Sequence, residues 1–398
     1  MSLSSLSSRR FAVRAMVGAL VVAAISAALG ASATSVRGAS WVYFGTYTGP
    51  KSQGIYVSTF DAATGALGPP RLAAESANPS FLALHPSRPL LYAVNEEDDF
   101  EGQRAGSVSA FAIEPATGTL KALGRASSRG AHPCHLAVDR SGRHVLVANY
   151  SGGNVASLPL RADGSLEAAS SVVQHAGSSA DAKRQKGPHA HMIEADPGND
   201  FVLAADLGLD QVLVYRFDDD KGLLTPADPP HARVAPGSGP RHFAFSPDGR
   251  DLYVLNEMLI TVTAFKHQGG RLTEYQTVPA TAPGASITPA DSGAEILVHP
   301  VGRFVYASLR GPDSLAVFAR DAQSGRLTLV EHVASGGKTP RGFGIDPSGR
   351  WLLAAHQRSD QVVVFGIDAG TGRLEATGQT LEVGSPVSVA FFPPRATR

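Results

Sequence analysis

The chain has one cysteine, Cys134, in 398 residues. No disulfide can form within it, so stability has to come from packing. It also lacks a surplus of either charge: 35 basic residues balance 35 acidic ones, and no basic stripe runs along the sequence. That withholds the electrostatic footprint of nucleic-acid binding. A membrane-spanning run is missing too. The apolar stretch at residues 16–29 is alanine-rich and falls short of the roughly 20 residues a spanning helix needs. What the chain has in quantity is glycine, 42 residues, and proline, 27, with 43% hydrophobic residues, the composition of a folded protein with many turns.

Residues 1–33 differ from the rest. Arg9, Arg10 and Arg14 precede the apolar stretch, and Ala31-Ser32-Ala33 closes it. This is the pattern of a secretory signal peptide with an A-x-A cleavage site, and it implies a periplasmic or secreted protein without stable membrane insertion after cleavage. Ser8-Arg9-Arg10 partly matches a twin-arginine signal, with Phe11 one place earlier than that pattern prefers. Residues 34–398 are then one domain.

That domain repeats. An apolar segment, a turn and a second apolar segment recur with turn anchors at His85, Asp139, Asp196, Ser246, His299 and Asp346, 47 to 57 residues apart, with a seventh fitted at Pro393. The turn, His/Asp/Ser-Pro-x-Gly-Arg, is complete at Ser246-Pro247-Asp248-Gly249-Arg250, His299-Pro300-Val301-Gly302-Arg303 and Asp346-Pro347-Ser348-Gly349-Arg350. A second, independent signal places a glycine shortly before a leucine at Gly65, Gly118, Gly164, Gly222, Gly270, Gly325 and Gly372. Between them lie alternating segments such as Gln211-Val212-Leu213-Val214-Tyr215, the pattern of strands. Four strands per unit of this length predict an all-β, seven-bladed β-propeller. The last copy has only its first strand, and the mature chain opens with Trp41-Val42-Tyr43-Phe44, so the N- and C-terminal strands should share and close one blade.

In such a blade the innermost strand starts, and the second strand ends, on the same face. Five residues before each anchor stand Ser80, Cys134, His191, Arg241, Ala294, Arg341 and Ser388; ten after stand Asn95, Asn149, Asp206, Asn256, Leu309 and His356. Beside them lie His135, Glu257, Glu295, Arg310 and Gln357. Asparagines at strand ends are accounted for by capping of backbone groups. His191, Arg241, Glu257 and Arg310 are different, because adjacent blades would bring an imidazole and both charge signs together.

Gly45-Thr46-Tyr47-Thr48, Asn78-Pro79-Ser80-Phe81, Pro133-Cys134-His135-Leu136, Ala148-Asn149-Tyr150-Ser151-Gly152-Gly153, Pro188-His189-Ala190-His191, Ala204-Ala205-Asp206-Leu207-Gly208, Gly239-Pro240-Arg241-His242 and Asn256-Glu257 resemble the motifs of the propeller lactonase family, which includes 6-phosphogluconolactonases and carboxy-muconate lactonizing enzymes. The resemblance runs through the whole chain after the signal. It implies catalytic roles for His191, Arg241, Glu257 and Arg310; His189, His135, Asn256, Arg341 and Gln357, expected on the same face by their positions, are the candidate substrate contacts. The chain departs from the family at Ser308-Leu309-Arg310-Gly311, where Asn is common before Arg, and at His356, where Asn is usual.

Opening a lactone needs a base for the attacking water and donors where the oxyanion develops. His191 or Glu257 suits the first task, with His189 in reserve; Arg241 and Arg310 suit the second, or the clamping of an anionic substrate. No cofactor or metal is then required. His132-x-Cys134-His135 lacks a fourth ligand, and the acidic run Glu96-Glu97-Asp98-Asp99 with Glu101 reads as a solvated loop rather than a Ca²⁺ site. Residues 178–186 read as an exposed loop, or as a flap whose Lys183-Arg184-Gln185-Lys186 gathers anions. The expected function is hydrolysis of a sugar or aldonic lactone. A phosphorylated lactone belongs to the cytoplasm, whereas the signal directs the chain outside it, so an unphosphorylated lactone fits better. A non-catalytic ligand- or protein-binding propeller and a lactonizing enzyme are the alternatives.

Overall fold

The computed structural model describes residues 39–392. The segment read as a signal peptide, residues 1–33, lies outside the described residues, as does Pro393. Among the described residues there is no helix; seven antiparallel sheets follow one another around a ring. Blade 1 is made from both ends of the chain: Pro386–Phe392 is innermost, then Ala39–Thr46 and Gly54–Asp61, with Ala66–Leu67 and Arg71–Glu75 sharing the outer position. Blades 2 to 7 are continuous in sequence, with innermost strands Leu82–Leu84, Pro133–Val138, Ala190–Ala195, Pro240–Phe245, Ser292–Val298 and Pro340–Ile345. The closing register pairs Val42 with Phe391 and Phe44 with Val389.

The core is seven seams rather than one centre. Each hydrophobic cluster joins two neighbouring blades: Tyr43, Ile55 and Val57 of blade 1 pack on Leu91, Ala93 and Phe111 of blade 2, while Val42 and Phe44 turn the other way onto Leu353, Val362 and Val364 of blade 7. Period-two alternation on each middle strand supplies both seams, which is why a lone blade could not bury its faces.

The two repeat signals have separate physical causes. All seven turn glycines have positive φ, from 67° at Gly222 to 92° at Gly164. Six also sit against the first residue of the second strand of the preceding blade, a Cβ at Gly65 coming within 3 Å of Trp351 across the closing seam, and Gly118 sits against Trp41, third in Ala39–Thr46, whose indole a Cβ would meet within 3 Å. Tyrosines strap the same turns: the Tyr43 hydroxyl donates to Gly118 O at 2.9 Å and the Tyr306 hydroxyl to Gly372 O at 2.9 Å. The anchors are chosen for their side-chain acceptors. Asp139 Oδ1 accepts from the backbone N–H of Arg143 and His144 at 2.8 and 2.7 Å, and where the anchor is His85 its Nδ1 accepts from Ser87 and Arg88 while Nε2 donates to Gly142 O of the next blade. One correction follows from the register. Trp41 pairs with Phe392, so the seventh copy is anchored one residue earlier than Pro393.

Candidate active site

Six of the seven innermost strands begin with a register shift. Ala190 pairs with Asp206 and Met192 with Ala205, which leaves His191 unpaired between them; Pro240 with Asn256 and His242 with Leu255 leave Arg241; Pro340 with His356 and Gly342 with Ala355 leave Arg341. A bulge re-aims the side chain of its extra residue, and here the repeat does so blade after blade at one end of the channel. In blade 1 the residue so placed is Val387 rather than Ser388.

Glu257, one residue beyond the second strand of blade 5 (Asp251–Asn256), is the hub of this face. Its Oε2 lies 3.1 Å from Arg241 Nε and accepts from Arg310 Nη2 at 2.9 Å, and its Oε1 accepts from Arg184 Nη2 at 2.7 Å. Burial alone would raise its pKa; Arg310, Arg241 and Arg184 overcome that and hold it at about 2. Arg241 also donates to Ala294 O, and Arg310 to Gly293 O at 2.8 Å. Burial brings Arg310 down to about 10, still charged at neutral pH. A carboxylate held by three guanidiniums is a poor base. Glu257 is one of the two candidate bases, beside His191, and in the fold it is the shared counter-ion of Arg184, Arg241 and Arg310.

His191 is buried beside Cys134, whose Sγ lies 3.8 Å from its Nδ1. Burial, then Arg241 and His242, hold its pKa well below the usual 6.5, so the ring is neutral with a free lone pair at neutral pH. Its ring is edge-on to Tyr150, with centroids 5.5 Å apart. His189 is half-buried and stacks on the other side of the group, 4.5 Å from Tyr150. Its Nδ1 lies 3.0 Å from Tyr150 O, and since a carbonyl only accepts, Nδ1 is the donor. Tyr150 ties the histidines to the arginines, accepting from Arg184 Nη2 at 3.1 Å.

Arg341 reaches the same face from blade 7 and donates to the Tyr47 hydroxyl at 3.0 Å, which donates in turn to Glu96 Oε2 at 2.7 Å. From sequence, Tyr47 and Tyr150 stand only inside family motifs, Glu96 in the acidic run, and Arg184 in the basic run that reads as an exposed loop or an anion-gathering flap. Glu96 belongs to the acidic run, yet it turns inward to Tyr47 and Ser80 while Glu97 pairs outward with Arg125. Gln357 follows the second strand of blade 7 and is half-buried, with no side-chain hydrogen bond among the described residues.

Two expected substrate contacts lie elsewhere. Asn256 is fully buried and its amide donates to Thr261 and Thr263 at 2.9 Å, so it ties strands of its own blade and does not reach the cluster. His135 is one layer further down the channel, tilted against Phe81 with ring centroids 4.2 Å apart and edge-on to His242 at 5.3 Å. Between the layers, Tyr47, Ser80, Glu96, Cys134, Arg241 and Arg341 leave a void of about 10 Å³, room for about one water. Below it a chamber of about 680 Å³ runs past His135, Glu295 and Phe343 to the turn residues Pro197, Ser246 and Pro247. The chamber is larger, but it lacks the convergent cations of the bulged face.

Residues 41–391 match the model of the family described as "Lactonase, 7-bladed beta-propeller". The chain belongs to the seven-bladed β-propeller lactonases. Among curated lactonases it is 38% identical to the 6-phosphogluconolactonase of Bacillus subtilis (strain 168) over 306 residues, 76% of this chain and 84% of that protein. It is 31% identical to the 6-phosphogluconolactonase of Formosa agariphila over 313 residues, 77% of this chain and 86% of that one. Among solved structures, a periplasmic gluconolactonase of Pseudomonas aeruginosa superposes with a TM-score of 0.83 at 36% identity, covering 89% of this lactonase and 99% of its own chain. The enzyme reading is thereby decided over the non-catalytic propeller: this is a 6-phosphogluconolactonase-like lactonase.

Proposed function

We propose that this lactonase hydrolyses a sugar or aldonic lactone bearing an anionic group, at the bulged end of the channel. In this reading His191 takes a proton from the attacking water as the oxygen bonds to the carbonyl carbon. Arg241 and Arg310 receive the developing oxyanion, and the ring C–O bond then breaks as the protonated His191 returns its proton to the departing oxygen, giving the hydroxy acid. Glu257 keeps the two guanidiniums in place throughout, and His189, Arg341 and Gln357 border the substrate.

The observation that carries the reading is the three-arginine clasp on Glu257. With Arg341 added, four guanidiniums meet only two carboxylates, Glu257 and Glu96, so the face holds a cationic surplus suited to an anion. In the same reading the enzyme is exported to the periplasm or beyond; the pattern of residues 1–33 and the periplasmic Pseudomonas relative support this. The test is lactone opening followed by pH-stat on the mature protein, with gluconolactone, 6-phosphogluconolactone and a muconolactone. Turnover above the spontaneous rate, lost in a folded His191→Ala variant, supports the reading. No turnover on any of the three overturns it.

A further inference from the structure

Arg184 differs from the other two arginines on Glu257. Arg241 and Arg310 stand on blade strands with side chains 3% and 14% exposed, and each is fixed a second time by a main-chain carbonyl. Arg184 is 45% exposed, and its other partner is the neutral Tyr150 hydroxyl. A pair half-open to water is weakened by screening, so this is the contact an incoming anion can most readily displace.

The loop beneath Arg184 is pinned rather than flap-like. Asp181 Oδ1 accepts from the backbone N–H of Lys183 and Arg184 at 2.8 and 2.7 Å. Gln185 is wholly buried, donating to Leu207 O and Asp210 Oδ1 at 2.8 Å and accepting from Asp181 N at 2.9 Å. Ser179 adds a bond to Asp210 Oδ2 at 2.5 Å. A fixed base therefore carries one long, solvent-facing arm over the hub, flanked by the exposed Lys183 and Lys186.

We infer that Arg184 is the specificity-determining cation of the site, exchanging Glu257 Oε1 for a phosphate or carboxylate of the substrate. The planar fork of guanidinium suits either anion and is not matched by lysine. This inference rests on the lactonase reading above and adds the group that would choose among lactones.

Steady-state kinetics of Arg184→Gln and Arg184→Lys on 6-phosphogluconolactone and on neutral gluconolactone test it. In Arg184→Gln the KM for the phosphorylated lactone should rise about tenfold or more, and at least about fivefold more than the KM for the neutral one. Arg184→Lys should fall between native and Arg184→Gln. An equal change in both KM values overturns the inference and leaves Arg184 a prop for Glu257. If the native enzyme opens neither lactone, the functional reading fails separately, and binding of inorganic phosphate decides for Arg184: weaker binding in Arg184→Gln upholds its role, and equal binding overturns it.

Discussion

His242 and Glu295 face each other across the seam between blades 5 and 6, with Nδ1 2.8 Å from Oε1, both buried in the channel. Burial pushes Glu295 up to about 7, against the pull of Arg241 and His135, and it holds His242 well below 6.5. The folded protein therefore keeps a proton on Glu295 that the unfolded chain sheds above about 4.5. The contribution to stability is fullest below that pH and is lost as pH rises toward 7. Glu295→Gln stays neutral throughout, so the fall in melting temperature between pH 5 and pH 8 should be smaller in the variant. Parallel curves for the two proteins would contradict this.

Glu257 has the opposite sign. Its pKa is held at about 2, so its stabilising contribution is present above about 4.5 and fades as pH falls toward 2. Glu257→Gln leaves the buried Arg241 without its counter-ion, and denaturation at neutral pH should show a loss of about 3–5 kcal/mol. The kcat/KM should drop about 100-fold or more, because the oxyanion donors lose their anchor. Combined with Arg310→Ala, the two losses should be clearly less than additive in a double-mutant cycle; strict additivity would mean that Glu257 acts independently.

With His191 as the base of the proposed reaction, its lowered pKa would set the acid side of the rate profile. A base must be unprotonated, so kcat/KM should stay level as pH falls through 6.5 and decline only below it. His191→Asn, shown by circular dichroism to be folded, should lose about 10²- to 10⁴-fold in kcat. An acid limb at or above pH 6.5 that persists in His191→Asn would move the base to another group, with His189, whose Nδ1 is already engaged by Tyr150 O, next in line.

Gly118→Ala tests the blade seams. The position combines φ of 68° with the Trp41 indole within 3 Å of a new Cβ, and urea unfolding should show a loss of about 2–4 kcal/mol. Gly102→Ala is the comparison, with φ of 75° but open space around it, and should lose only about 1 kcal/mol. Equal losses would mean that backbone strain alone, and not the seam, sets the cost.

The ring was legible in sequence because its two signals are local: a capping side chain at each anchor and a left-handed glycine at each outer turn act within a few residues. His191, Arg241, Glu257 and Arg310 were legible because a repeat puts equal offsets on one face. The bulge was not, since it depends on pairing register, and so Val387 was taken for Ser388 and the seventh anchor fell one residue late. Asn256 looked like its neighbour Glu257, but successive residues need not face one way: one serves the blade and the other the channel. Arg184 lay inside a basic run that reads as solvated loop, and only the burial of Gln185 turns its arm toward Glu257. The three guanidiniums on Glu257 were not legible either, because the number of cations around a carboxylate is a three-dimensional quantity.

The pairing of Ala39–Thr46 with Pro386–Phe392 also fixes an order of events in the cell. Blades 2 to 7 are each complete within a short stretch of chain and can form as that stretch leaves the ribosome, whereas the inner edge of Ala39–Thr46 has no partner until Pro386–Phe392, more than 300 residues later, has been made. For that interval the nascent protein is an open arc with a bare strand edge, the state in which a chaperone would find a binding site and a second copy could pair by mistake.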